Sequence, residues 1–262
     1  MYKRGSLFWG GVLIVLAALL FLKQAGVIVG DIFGYFWPLL VIAFGIWLIT
    51  GFFVRNRPIE GEKVSIPLES ATGATIKLDH GAGKPSVHSG AEPNEIINGT
   101  FGNGLNYKSR LDGSRIEVKL RSSQQFWAWW PGESLDWDIH INRDIPLNLK
   151  IDSGASASIL DLSDLKVTDL DIDTGASSTE LTLPASAGNT HVEIDTGASS
   201  LKTIVPAGVA ASIRIKSGIT AINVNSRFQR LDNGLYQSAD YSTSANRVDI
   251  TISAGVGSID IN

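Results

Sequence analysis

The motif Asp-Thr-Gly-Ala-Ser is the pattern in this sequence that comes nearest to a catalytic signature. It occurs within Ile-Asp-Thr-Gly-Ala-Ser at residues 172–177 and 194–199, and residues 151–156 carry a variant with Ser in place of Thr. Aspartic proteases use such a motif twice, so that two carboxylates share one proton. The acid pair would here be Asp173 and Asp195.

The spacing of the copies argues against a protease. The glycines recur at intervals of 21, 22 and 21 residues, so the copies are successive steps of one repeat rather than two lobes that face each other. We therefore interpret these residues as structural turn residues, with carboxylates that accept backbone N–H bonds and glycines that supply positive φ: Asp152, Gly154, Asp173, Gly175, Asp195, Gly197 and Gly218. Stacking in register would place the carboxylates in a like-charge ladder, which turn amides, threonine hydroxyls or a bound cation would offset.

Other chemical motifs are incomplete. Residues 81–84 resemble the end of a phosphate-binding loop, but Leu78 stands where a glycine is needed and Pro85 replaces Ser or Thr. The four histidines show no metal-ligand spacing, and cysteine is absent: His80, His88, His140 and His191. We therefore expect a non-enzymatic protein with no cofactor and no metal site.

A tryptophan-rich stretch is the one candidate interaction patch. Residues 126–137 contain four tryptophans around a Pro-Gly pair: Trp127, Trp129, Trp130 and Trp137. They either cover the end of a sheet stack, as repeat folds require, or form an exposed patch that docks on a partner or on the membrane interface. The sequence leaves both interpretations open.

The repeat predicts an all-β, solenoid-like domain over residues 64–262. Within each unit apolar and polar residues alternate with a period of two, as at Leu147, Leu149 and Ile151, so each unit reads as strand, tight turn, strand and loop. Such units would stack as two facing sheets, with a less regular part at residues 64–146; a Greek-key sandwich is the structural alternative. Asp112-Gly113 and Asn233-Gly234 predict two β-hairpins.

Two uncharged apolar runs, residues 6–22 and 32–54, predict a transmembrane helical hairpin over residues 1–54. A cleaved signal peptide or a buried hairpin of a soluble domain fits less well, because no cleavage site separates two runs of this length. Residues 55–63 are polar and form the predicted linker.

Basic residues flank the hairpin at Lys3, Arg4, Arg55, Arg57 and Lys63, so the positive-inside rule places the β domain in the cytoplasm of a multi-pass protein. A net charge of -4 without a basic block argues against nucleic acid as a partner.

The apolar run at residues 10–22 and the Trp-Pro-Leu-Leu-Val-Ile segment at residues 37–42 resemble the transmembrane region of LiaI/LiaF-like bacterial proteins. The segment from Trp137 onward, with its Asp-Ser-Gly-Ala-Ser and Asp-Thr-Gly-Ala-Ser copies, resembles the toast-rack β domain of LiaF-type envelope stress regulators and adhesins. The resemblance implies a bacterial membrane protein that senses or regulates the response to cell-wall damage, often through a two-component histidine kinase.

Taken together, these features predict a non-catalytic membrane scaffold or regulator of the envelope stress response. Its partners would be the lipid bilayer and a membrane signalling protein such as a sensor histidine kinase, and oligomerisation stays open. The alternative is an adhesin or binding module with the β domain outside the cell.

Overall fold

Fourteen β-strands, joined by hydrogen bonds into one sheet, build the part of the chain that the computed structural model describes, residues 61–123 and 135–262. The strands are β1 (Glu62–Pro67), β2 (Gly73–Gly83), β3 (Pro85–Ser89), β4 (Glu95–Phe101), β5 (Leu105–Asp112), β6 (Arg115–Ser122), β7 (Trp137–Ile141), β8 (Pro146–Asp161), β9 (Lys166–Thr182), β10 (Asn189–Ile204), β11 (Ala210–Val224), β12 (Phe228–Asp232), β13 (Leu235–Ser238) and β14 (Arg247–Ile261). Nowhere in these two ranges does a helix have the length and apolar character needed to span a bilayer. The predicted hairpin at residues 1–54 lies outside the described residues.

Five long strands form the regular part of the sheet, and each contains one copy of the repeat. They lie parallel and in register: Asp173 on β9 pairs with Asp152 on β8 and with Asp195 on β10. Because equivalent residues of each copy lie side by side, every copy is one rung of a stack. The predicted repeat is therefore confirmed.

The order of the rungs differs from their order in the sequence. The stack runs β2, β8, β9, β10, β14 and β11, so that β14 lies between β10 and β11. The weak copy around Gly218 is therefore not the neighbour of the copy around Gly197, as the sequence spacing suggested. The more distant echo around Gly255 separates them.

Each long strand bends at its repeat glycine without being interrupted. On β9 the buried positions nearest the bend are Ile172 and Thr174 before it and Thr179 and Leu181 after it. The step from 174 to 179 is odd, so the alternation shifts by one residue, which is what a corner within a continuous strand produces. The expected pair of facing sheets is thus one sheet that bends, and both of its halves contribute to one core.

Columns of aliphatic side chains hold the rungs together. One column is composed of in-register residues that are between 0% and 7% exposed: Leu78, Ile151, Ile172, Ile194, Ile252 and Ile215. Burial of each such side chain contributes about 1.5–3 kcal/mol. The contacts lie between rungs, so a rung gains this energy only when its neighbours are present.

Other strands cover the edge of the first rung, which β2 and β3 form beside β8. β6 pairs with the outer edge of β2 and is followed by β5, while β7 pairs with β3 and is followed by β4 and β1. β1 begins at Glu62, two residues inside the range predicted as linker.

Both predicted hairpins are present. β5 and β6 turn at Gly113, whose φ is 60°, and β12 and β13 turn at Gly234, whose φ is 82°. Positive φ at these two glycines is what tight hairpin turns require.

Candidate functional site

The repeated aspartates form one column on the outer face of the sheet, called here the acid column: Asp152, Asp173 and Asp195. Asp79 continues it on one side, and Ser253 followed by Lys216 continues it on the other. Asp173 and Asp195 are exposed and lie beside each other on parallel strands. Two carboxylates on adjacent rungs of one face do not form the opposed dyad that an aspartic protease needs.

Lys77, from the neighbouring column, pairs with one end of this ladder, whereas Lys150 pairs with Asp171 within its own column. Lys77 Nζ lies 2.7 Å from an Asp152 carboxylate oxygen, and Lys150 Nζ lies 2.6 Å from Asp171 Oδ2. The hydrogen bond to Asp171 raises the pKa of Lys150 above its usual value, and the charges of Asp152 and Asp173 act in the same direction. The turn-capping bonds predicted for the acid column are not found among the hydrogen bonds of the described residues; the contact of Asp152 is an ion pair between rungs.

The glycines of the repeat allow the rungs to approach closely at the bend. A Cβ atom on Gly175 would lie 2.8 Å from the carbonyl oxygen of Gly154, and a Cβ atom on Gly197 would lie 2.7 Å from that of Gly175. None of Gly154, Gly175, Gly197 and Gly218 has a positive φ. The prediction of positive φ was therefore wrong, because the constraint is the distance to the neighbouring backbone and not the local dihedral angle.

An open depression of about 560 Å³ follows the acid column on the outer face. Its lining includes Asp195, Lys216, Ser217 and Ser253. Among the described residues, no hydrogen bond joins either serine hydroxyl to the lysine or to the aspartate, so the depression lacks the nucleophile–base contact that covalent catalysis uses.

Among the described strands, β13 alone pairs with the outer edge of the last rung, β11, and it covers only half of that edge. β13 pairs with β11 only at Ser212–Arg214. Beyond this pairing, the backbone N–H of Ile215 donates one further hydrogen bond to the Gly234 carbonyl of the hairpin. No strand of the described ranges pairs with the outer side of residues 216–224. These residues, together with Val256 on β14, are called here the open edge.

The open edge carries larger apolar side chains after the repeat glycine than the inner rungs do. The residue that follows the repeat glycine is alanine in β8, β9 and β10, but it is Val256 in β14 and Ile219 in β11. Ile219 is 82% exposed and Val256 is 53% exposed. β-branched side chains beside unpaired backbone groups are what an added strand would pack against and pair with.

A family model described as the N-terminal domain of toast_rack, DUF2154, matches residues 55–204, which is more than half of the chain. This chain belongs to the toast-rack family. A second model, the LiaI-LiaF-like transmembrane region, matches residues 7–49. The two matches confirm the LiaF-like resemblance and identify a membrane-associated protein of the cell envelope. The toast-rack match ends with β10, so β11, β14 and the open edge lie beyond it.

One solved structure shares the fold of this chain. A candidate cell adhesion protein from Clostridium sporogenes is 22% identical with a TM-score of 0.71, over 76% of this chain and 97% of its own. A candidate adhesin from Bacteroides fragilis is 7% identical, covers 77% of this chain and 96% of its own, and has a TM-score of 0.27, too low to support an argument. No curated protein matches the toast-rack chain in sequence.

The tryptophan-rich patch divides at the boundary of the described residues. Trp137 is fully buried on β7, where its ring makes edge contacts with Phe101 and His80. It is therefore a core residue of the toast-rack domain and cannot belong to an exposed patch. Trp127, Trp129 and Trp130 lie outside the described residues.

The structure brings together three residues that the sequence reasoning did not combine. His88 on β3 and His140 on β7 are direct register partners, and Asp138 lies two residues before His140 on the same strand. Their ligand atoms lie within 4.8 Å of one another. The spacing of the histidines along the chain did not indicate this cluster, because it does not show which strands become neighbours.

Proposed function

We propose that this toast-rack protein is a non-catalytic membrane-anchored scaffold or regulator of the bacterial envelope stress response. In this proposal the predicted transmembrane hairpin holds the chain in the bilayer, and the solenoid binds a membrane signalling protein, such as a sensor histidine kinase, by accepting one of its extended segments at the open edge. The observation that carries the proposal is that no described strand pairs with the outer side of residues 216–224 on β11, where Ile219 and Ile222 are exposed.

The composition of this edge supports binding. Sheet edges that must stay free usually carry charges, prolines or bulges that prevent pairing. Residues 216–224 carry one charge, at Lys216, and no proline, while Ile219 and Ile222 are 82% and 41% exposed. An added strand would gain backbone hydrogen bonds along the edge and apolar contacts at alternate side chains.

The side of the membrane separates this function from a second candidate. The flanking basic residues support a cytoplasmic solenoid, where a kinase could be contacted. The fold likeness to a candidate cell adhesion protein supports an envelope-facing binding module instead. Alkaline phosphatase and green fluorescent protein fused in turn after residue 262 report the side: fluorescence without phosphatase activity supports the regulator, and the reverse supports the binding module.

Partner capture at the open edge tests the proposed contact. The full-length chain is co-expressed with each membrane sensor histidine kinase of its host and purified in mild detergent. Ile219→Lys charges the open edge, and Ile159→Lys is the matched control, because Ile159 is 49% exposed but lies on β8, whose neighbouring strands pair with it at this position.

We expect one kinase to copurify with the wild-type chain and with Ile159→Lys, and its recovery to fall by about tenfold or more with Ile219→Lys, since charging one apolar interface side chain costs upwards of ~1.4 kcal/mol. Recovery of no kinase, or equal recovery with both variants, would refute the contact. Self-association lost with Ile219→Lys would reassign the open edge to a second copy of the chain.

A further inference from the structure

We propose that His88, Asp138 and His140 form a binding site for a divalent transition-metal ion of the zinc class. Imidazole nitrogens and a carboxylate oxygen are ligands that such ions accept, and three protein ligands leave a fourth tetrahedral position for water or a partner group. This inference rests on residues distant in the fold from the open edge and does not depend on the proposed function.

The distances fit a small metal ion. His88 Nε2 lies 3.1 Å from Asp138 Oδ1, and His140 Nε2 lies 3.7 Å from Asp138 Oδ2. Two ligands of a tetrahedral zinc ion, each about 2.0–2.1 Å from the metal, are separated by about 3.3 Å. All three ligand atoms lie within 4.8 Å of one another, so side-chain movements of about one ångström or less bring them to the ~3.3 Å separation of tetrahedral ligands.

The sheet holds the ligands on a rigid frame. β3 and β7 are parallel neighbours that pair His88 with His140 and Ser86 with Asp138. On its other side β7 pairs with β4, so the ligand strand is fixed from both edges. Buried side chains alternate with the ligands on β7, where Trp137, Ile139 and Ile141 are fully buried and anchor the strand in the core.

Gly90 lies directly beside the ring of His140. A Cβ atom on Gly90 would lie 2.8 Å from His140 Nδ1, so the glycine lets the chain after β3 pass directly beside the ring. The opposite nitrogen, Nε2, is the one directed toward Asp138.

The two imidazole rings lie against each other beside Asp138. They meet edge to face with their centroids 4.3 Å apart. The ligand side chains are 34% to 37% exposed, so an ion can enter from solvent.

Zinc titration of the full-length chain in lipid nanodiscs tests the site. The protein is stripped with a chelator and titrated calorimetrically with Zn²⁺, and with Mg²⁺ as a cation that prefers oxygen ligands. His88→Gln and His140→Gln each remove one ligand. His191→Gln is the matched control, because His191 is exposed on β10, away from these strands.

We expect one Zn²⁺ per chain, at least ~10-fold weaker binding with His88→Gln and with His140→Gln, and unchanged binding with His191→Gln. Zn²⁺ should also raise the melting temperature of the wild-type chain but not of the two ligand variants, whose folding without metal is checked by circular dichroism. No Zn²⁺ binding, equal binding of Mg²⁺, or Zn²⁺ binding that survives both ligand substitutions would overturn the proposal.

Discussion

Replacing Gly175 with alanine tests the explanation given for the repeat glycines. Gly175 has an ordinary φ, so an alanine there is not strained by its own backbone. Its Cβ atom would, however, lie 2.8 Å from the carbonyl oxygen of Gly154 on the rung below. That atom belongs to the backbone of a paired strand and cannot rotate away as the tip of a side chain could.

The expected loss follows from the overlap. A Cβ–oxygen contact normally exceeds about 3.2 Å, so two rungs held ~4.8 Å apart must separate locally by several tenths of an ångström at the bend. Forcing an extra methyl group into a packed site typically costs 1–3 kcal/mol, so Gly175→Ala should lower the free energy of unfolding by about 1–3 kcal/mol.

Urea unfolding of the full-length chain, followed by far-UV circular dichroism, measures this change. Gly73→Ala is the matched control, since Gly73 also has an ordinary φ but its Cβ atom would meet nothing nearer than Arg115 at 3.4 Å. The control should be neutral or slightly stabilising, because alanine reduces the freedom of the unfolded chain. If both variants were equally stable, close approach of the rungs would not be the reason for these glycines.

Two further predictions concern ionisable side chains. Burial, followed by the hydrogen bond to Asp249, raises the pKa of Tyr241 to about 12, so the stability it contributes should be complete below pH ~10 and lost as the pH rises toward that value. Melting temperatures from about pH 8 to 11 should therefore fall more for the wild type than for Tyr241→Phe, and parallel slopes would contradict this. Asp173→Asn removes a charge flanked by two carboxylates and should leave the melting temperature unchanged or raise it, whereas Asp152→Asn breaks the ion pair with Lys77 and should lower it. The opposite order in a thermal melt would contradict the proposed role of the acid column.

Local features of the fold could be predicted because they depend on neighbouring residues. The period marked by glycines predicted the rungs, and Asp112-Gly113 and Asn233-Gly234 predicted the two hairpins. Each of these signals lies within a few residues of the structure that it produces. The burial of Trp137 could have been predicted from its neighbours. Trp137, Ile139 and Ile141 alternate with polar residues and so share one face of a strand.

The stacking order could not be predicted in this way. The copies around Gly218 and Gly255 have the same strand geometry as the others, and each can pair with any rung that lies parallel to it. What decides the order is the return of the chain through β12, β13 and residues 239–246, a path that no short motif describes. The metal-ligand cluster was missed for a related reason: His88 and Asp138 are 50 residues apart and become neighbours only through the pairing of β3 with β7.

β14 lies between β10 and β11, out of chain order, so the end of the stack is built differently from its middle. Because the last two rungs interlock out of chain order, a unit cannot be appended after β11 without rebuilding the return path. Between β8 and β10, by contrast, rungs follow one another directly, and duplication of one 21-residue unit would add a layer of about 4.8 Å while leaving both terminal structures intact. Relatives with more or fewer units would therefore differ in height by whole layers, and the distance from the first rung to the exposed last strand would change in steps of that size.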